Sequence, residues 1–150
     1  MVDETIVLGW REWLALPQLG IGRIKAKIDS GARSSSLRVE SLEEYRQDGE
    51  PWLRFAVRPL RRHAEPIVCA APVSDRREVR DSGGHATLRW FIRTRFVLGG
   101  SRYDAEINLT PQSDMLFPLL LGRTALAGRF VIDPAASYRC GKPRRRRRLP

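Results

Sequence analysis

Alternation with a period of two runs through the body of the chain and predicts strands. In Arg23-Ile24-Lys25-Ala26-Lys27-Ile28-Asp29, the apolar Ile24, Ala26 and Ile28 fall on one side and the basic residues on the other, as in a strand with one buried face. Residues 51–58 repeat the pattern, with Leu53, Phe55 and Val57 on the apolar side. Residues 67–71 form a short apolar run between Pro66 and Pro72, which reads as a further strand. Residues 86–98 are rich in aromatic and β-branched side chains; Gly99-Gly100 and the run 103–109 follow, a hairpin pattern. Residues 76–90 carry two extended arms around Gly83-Gly84 and predict a second, long hairpin. Strands over 117–121 and 130–133, with a single short helix over 124–127 between them, complete the set. There is no heptad or longer internal repeat. Regularly spaced short strands separated by turn signals predict an all-β fold, a small closed barrel with one short helix.

Composition narrows the class. A chain of 150 residues with 42% hydrophobic and 29% charged residues is globular rather than disordered, and its length predicts one domain. No apolar run is long enough to span a bilayer. Met1-Val2-Asp3-Glu4 is acidic and lacks the pattern of a signal peptide; with no export signal, Cys69 and Cys140 are expected as reduced thiols and the cytoplasm as the location. The net charge is +10, but Lys142 and Arg144, Arg145, Arg146, Arg147 and Arg148 hold six of those charges, so the body is only mildly basic. The expected division is a domain over residues 1–138 and a basic, disordered tail over 139–150. The tail reads either as a solubilising end or as a non-specific tether for polyanions such as RNA, the ribosome or an acidic protein.

Candidate chemistry starts where the first alternating strand ends. That strand runs into Asp29-Ser30-Gly31-Ala32, delivering a carboxylate to a tight turn; Gly31 admits backbone conformations that a Cβ forbids, and the Ser30 hydroxyl can fix the turn. Asp-Ser-Gly alone is common in ordinary turns. Ninety residues on, Leu119-Leu120-Leu121-Gly122-Arg123 repeats the motion of an apolar strand into a turn and helix. Between them lies the hairpin with its tip at Asp81-Ser82-Gly83-Gly84-His85.

This combination resembles the retropepsin-type aspartic peptidases, in which an apolar strand ends in Asp-Thr/Ser-Gly-Ala, a glycine-tipped flap follows, and a second apolar strand ends in Gly-Arg. The chain is still more similar to a bacterial retropepsin-like family labelled ATP-dependent zinc proteases, some of whose members are associated with ribosomal-protein glutamate ligases. The similarity rests on Leu8-Gly9-Trp10-Arg11-Glu12-Trp13, Leu16-Pro17, Lys25 through Ala32, Ser34-Ser35-Ser36-Leu37, Val79-Arg80-Asp81-Ser82-Gly83-Gly84 and Met115 through Arg123. It departs at Ser30, where Thr is commoner, at Asp81, where Ser is common, and at Pro111-Gln112, where an Asn- or Asp-Arg pair is expected.

The resemblance implies a C2 homodimer with Asp29 of each subunit on the axis, because this chemistry needs two carboxylates sharing a proton at about 3 Å and the sequence holds one such motif. It also implies that Ser30 braces the loops, that Gly31 and Ala32 line the substrate channel, and that Gly122 and Arg123 support the loop, the guanidinium pairing with an acid. Asp81, Ser82, Gly83, Gly84 and His85 would cover the substrate. No cofactor is expected. His63, Cys69, His85 and Cys140 show no metal-ligand spacing, and no Gly-x-x-x-x-Gly-Lys-Ser/Thr segment is present, despite the family label. Trp10, Trp13, Trp52 and Trp90 are expected in the core or on the dimer face rather than as stacking platforms, and Ser34-Ser35-Ser36 lacks the context of a serine nucleophile. Arg76, Arg77, Arg80 and Arg89, with Arg93 and Arg95, crowd the hairpin, either as a solvated face or as a site that attracts acidic segments. Three readings stay open: a homodimeric aspartic peptidase acting on a peptide or glutamate-rich substrate, a non-catalytic binding module of the same shape, and a ribosome- or RNA-associated protein driven by the tail.

Overall fold

In a computed structural model, residues 5–60, 65–80, 83–111 and 115–143 are described. The predicted strands form: β3 (Ile21–Ile28), β6 (Glu50–Val57), β7 (Ile67–Pro72), β9 (Ala86–Leu98), β10 (Ser101–Thr110), β11 (Leu119–Leu121) and β12 (Phe130–Ile132). The first arm of the long hairpin is β8 (Asp75–Arg80), and the helix α1 spans Arg123–Leu126. Four strands were not expected: β1 (Ile6–Leu8), β2 (Arg11–Leu16), β4 (Ser35–Arg38) and β5 (Ser41–Gln47). β11 is shorter than the apolar run 117–121, because the chain bends over residues 116–118, where Pro118 has no N–H to give a ladder.

Six strands close a barrel in the order β10-β4-β11-β3-β2-β9, and the β9–β10 pairing completes the ring. Closure leaves no open edge within the ring. The alternation is realised in the packing: Ile24 and Ala26 are fully buried and Ile28 nearly so, while Lys25 and Lys27 are exposed. A second sheet, β5-β6-β7, lays Leu53, Phe55 and Val57 against the same core, and β1 pairs with β12 in parallel. β9 is the longest strand because it serves two partners. Its residues 90–98 pair with β10 in the barrel wall, and its residues 86–91 pair with β8, so the β8–β9 arm projects beyond the ring.

None of the four tryptophans lies in the fully buried core. All are half-buried; Trp90 packs against the core's edge, and Trp13 alternates with the buried Glu12 and Leu14 of β2. No helix of the described residues is long and apolar enough to cross a membrane.

Candidate active site

β3 and β11 run parallel in the register Ala26↔Leu119, Lys27↔Leu120, Ile28↔Leu121. Two parallel strands that stop at the same level deliver their following turns to the same place, so Asp29 meets Gly122-Arg123. β4, which follows the Asp29 turn, pairs with β11 from its other side. The turn is therefore threaded around the end of β11.

Hydrogen bonds fix that junction. Asp29 N–H donates to the Leu121 carbonyl at 2.9 Å, Arg123 N–H to the Ala32 carbonyl at 2.8 Å, and Thr124 N–H to the Arg33 carbonyl at 3.1 Å. Within the turn, Ala32 N–H donates to the Asp29 carbonyl at 3.2 Å and Gly31 N–H to Asp29 Oδ1 at 3.0 Å. The last bond orients the carboxylate, whose residue is half-buried, and no ion pair holds it among the described residues. Gly31 is not in the left-handed region expected of it. Its role is closeness, since a Cβ there would stand 3.2 Å from Asp29 Oδ1.

Two other expectations change. Among the described residues the Arg123 guanidinium pairs with no acid: its Nη1 donates to the carbonyl oxygens of Ser30 and Gly31, both at 3.1 Å. Ser30 is exposed and enters the junction through its carbonyl, with no bond from its hydroxyl among the described residues.

A buried polar chain, which no sequence pattern singles out, leads from the flap arm to this junction. Arg89 on β9, only 9% exposed, donates from Nε to Thr87 Oγ1 at 3.0 Å and from Nη1 to Asn108 Oδ1 at 3.2 Å. Asn108 Nδ2 donates to the Ser35 carbonyl at 2.9 Å, and Ser35 Oγ accepts from the Gly122 N–H at 3.1 Å. Asn108 and Ser35 are fully buried. Asn108 and Ser35 thus each have a partner within this chain. The middle serine of Ser34-Ser35-Ser36 is a structural acceptor.

A cleft of about 1290 Å³ opens over Asp29, bounded by the turn, the β11–α1 junction, the β8 arm and β10. Seven arginines and four acids line it. Of the arginines expected to attract substrate, Arg77, Arg80 and Arg89 line the cleft, as does Arg93; Arg76 does not, its guanidinium lying over the Trp90 ring at 4.4 Å. Arg77 anchors the root of the arm instead of standing free: it contacts Asp75 Oδ2 at 2.5 Å and Glu106 Oε1 at 3.1 Å, and lies over the Phe91 ring at 3.8 Å. A hydrogen bond from Ser74 Oγ and then the Arg77 contact hold the Glu106 carboxyl below its usual value; the Arg76 N–H and then Arg77 do the same for Asp75. Gly83, Gly84 and His85 are exposed and are not among the residues lining the cleft. Asp81, Ser82, His63 and Arg144 through Arg148 lie outside the described residues.

The described residues do not fit a zinc ion. Cys69 is buried with its Sγ on the Leu19 carbonyl, Cys140 lies beside Gly99, and the described residues hold no group of three or more His, Cys, Asp or Glu placed to share a metal.

Curated relatives are proteins named probable alpha-L-glutamate ligase. That of Shewanella pealeana is 36% identical over 143 residues, 95% of this chain and 31% of the relative. That of Desulfotalea psychrophila is 39% identical over 137 residues, 91% of this chain and 30% of the relative. The chain thus spans under a third of the length of the curated relatives it matches. Among solved structures, Lpg0085 of Legionella pneumophila, a protein of unknown function, superposes with a TM-score of 0.76 at 24% identity, over 91% of this chain and 99% of that one; it shares the fold. The model of the RimB-like family, retropepsin-like aspartic endopeptidases, matches residues 7–143. With the closed barrel and the Asp29 turn threaded around β11, that match over most of its length establishes that the chain belongs to the RimB-like family.

Proposed function

We propose that the protein is an aspartic peptidase that works as a C2 homodimer and hydrolyses peptide or glutamate-tail amide bonds. The observation that carries this reading is the Asp29 carboxylate, oriented by Gly31 N–H, free of any ion pair among the described residues, and open to a cleft large enough for a peptide. One carboxylate is half of the machinery. Two Asp29 side chains about 3 Å apart cannot both ionise, so one holds the shared proton. The ionised member takes a proton from water, whose oxygen attacks the scissile carbonyl carbon. The protonated member donates to the carbonyl oxygen, giving a tetrahedral diol. Collapse breaks the C–N bond while a proton passes to the leaving amine, and the pair ends with one proton between them.

The excess of arginine over acid around the cleft favours a substrate rich in carboxylates. The relatives point the same way. In proteins named as glutamate ligases, a region like this chain accompanies a longer remainder, and a peptidase of glutamate amides would remove what a ligase adds. The Gly83-Gly84-His85 turn, with Asp81 and Ser82, would close over bound substrate.

The deciding measurement is incubation of wild type and Asp29→Asn with a glutamate-tailed protein and a mixed peptide library, read by mass spectrometry from acid to neutral pH, with sedimentation equilibrium on the same samples. Cleavage by the wild type alone, appearing with the dimer, is expected. Binding without cleavage at every pH would overturn the peptidase and leave a non-catalytic module.

A further inference from the structure

The outer face of β2 and β3 lies away from the cleft and has a chemistry of its own. Arg11 and Trp13 of β2 stand opposite Lys27 and Lys25 of β3, with Arg23 further along the same strand. The chain beyond β12 crosses this face: Tyr138 N–H donates to the Arg11 carbonyl at 2.9 Å, and Arg23 Nε donates to the Pro143 carbonyl at 3.1 Å. Rings and cations interleave along it. The Arg11 guanidinium lies 4.6 Å from the Trp10 ring centroid and 5.0 Å from that of Tyr138. Lys25 Nζ lies 5.1 Å from Trp13, and Lys142 Nζ 5.5 Å from the same ring. Trp13 and Tyr138 are 6.1 Å apart, tilted by 34°.

Among the described residues of β2, β3 and the segment 134–143, no acid faces outward. Glu12, the one acid of the two strands, is fully buried, and residues 134–143 contain none. Arg11, Lys25 and Lys142 are therefore gathered within one cluster of rings without a counter-charge among the described residues, and a polyanion laid across them would relieve their repulsion. Five more arginines follow directly in the sequence after Pro143. A carboxylate polymer would satisfy the charge but leave the rings unused. A strand of nucleotides with unpaired bases uses both, its phosphates on the cations and its bases against the aromatic rings.

We propose that this face binds a single-stranded polynucleotide, with Arg11, Arg23, Lys25, Lys27 and Lys142 contacting phosphates and Trp10, Trp13 and Tyr138 offering ring surface to bases. None of these eight residues lines the cleft, so the face is independent of the chemistry at Asp29.

The test titrates full-length protein with a 12-mer of uridine, the matching thymidine DNA and a 12-residue polyglutamate, following anisotropy of the labelled ligand and tryptophan emission at several salt concentrations. Both oligonucleotides should bind and quench the emission, and polyglutamate should compete weakly. Lys25→Gln with Lys27→Gln, a pair on exposed strand positions that leaves the rings intact, should flatten the plot of log affinity against log salt by about 1.4, two phosphate contacts' worth. Trp13→Ala should weaken binding roughly tenfold. Replacing residues 144–148 with glutamine should weaken binding but preserve the quench. A wild-type salt slope in a folded Lys25→Gln, Lys27→Gln protein would overturn the proposal. So would loss of the quench with the tail alone, or equal competition by polyglutamate.

Discussion

A Cβ on Gly122 would stand 2.5 Å from the carbonyl oxygen of Ser34, and 2.9 Å from that of Ala32. Both obstacles are backbone atoms of the turn that presents Asp29, so no rotamer change relieves them. Gly122→Ala is expected to push the turn off the end of β11 at a cost of about 1–3 kcal/mol or more. The melting temperature should fall by several degrees, and cleavage should fall further than the folded fraction does. A variant that melts and cleaves like wild type would show that the two turns are not in this contact.

Ser35→Ala removes the acceptor of the Gly122 N–H while leaving the Asn108–Ser35 carbonyl bond in place. A buried N–H left without its partner costs about 1–3 kcal/mol. Asn108→Ala cuts the same chain one step earlier, between Arg89 and Ser35, and each single variant should destabilise to urea by a similar amount. Their combination should cost less than the sum, since both break one network. Strict additivity in a double-mutant cycle would sever the flap arm from the Asp29 turn as a connected unit.

Glu12 is fully buried, yet its carboxylate accepts three backbone N–H bonds: from Gly9 at 2.6 Å, Arg139 at 3.0 Å and Cys140 at 3.1 Å. It ties the chain after β12 to the barrel. Glu12→Ala would leave one buried and two part-buried N–H donors without their acceptor and is expected to cost about 3 kcal/mol. Glu12→Gln keeps one oxygen and should cost less. Limited proteolysis should cut the alanine variant first within residues 134–143; unchanged protection there would remove Glu12 from this role.

The Glu12 residue also explains which strands were legible beforehand. β3 and β6 announce themselves because every inward position is apolar. β2 hides its register: Glu12 points inward and Trp13 outward, so Arg11-Glu12-Trp13-Leu14 reads as unpatterned, and the register shift between Leu14 and Leu16 breaks the period again. β4 buries Ser35, which composition assigns to a loop. β5 is mostly polar, with only Leu42 packed against the core, and is held by its pairing with β6. At the site, Asp29, Gly122 and Arg123 were legible from their position after apolar runs. The acceptors of Arg123 were not, because which carbonyls a turn presents depends on the parallel β3–β11 register rather than on residue type.

Acid should loosen the root of the flap arm. The carboxyls of Asp75 and Glu106 are both held below their usual values in the folded chain, so they bind protons less readily folded than unfolded. Their contribution is present above about pH 4, the unfolded carboxylate range, and is lost as pH falls through the depressed folded values. Exposure at this root keeps the effect on global stability small. Hydrogen exchange over residues 75–80 and 86–91 should accelerate below about pH 4 before the rest of β9 does, and Glu106→Gln should bring that acceleration to neutral pH. Uniform exchange along β9 at every pH would place the anchor elsewhere.

Alkali should act on Cys69 in the opposite sense. Burial in the core raises its thiol pKa to about 11, and the Cys140 thiol is also raised, chiefly by burial and then by Glu12. The folded state therefore keeps Cys69 protonated at a pH where the unfolded chain, near the ordinary value of about 8.5, releases the proton. Stability from this group is complete below about pH 8.5 and drains away as pH rises toward 11. Urea midpoints of the wild type should fall across that range, and those of Cys69→Ala should fall less steeply from a lower start, since the methyl leaves a small cavity. Thiol labelling at neutral pH should modify Cys140 slowly and Cys69 only on unfolding. Prompt labelling of both in native protein would mean that the Leu19–Cys69 contact opens far more often than the burial of β7 against the core allows.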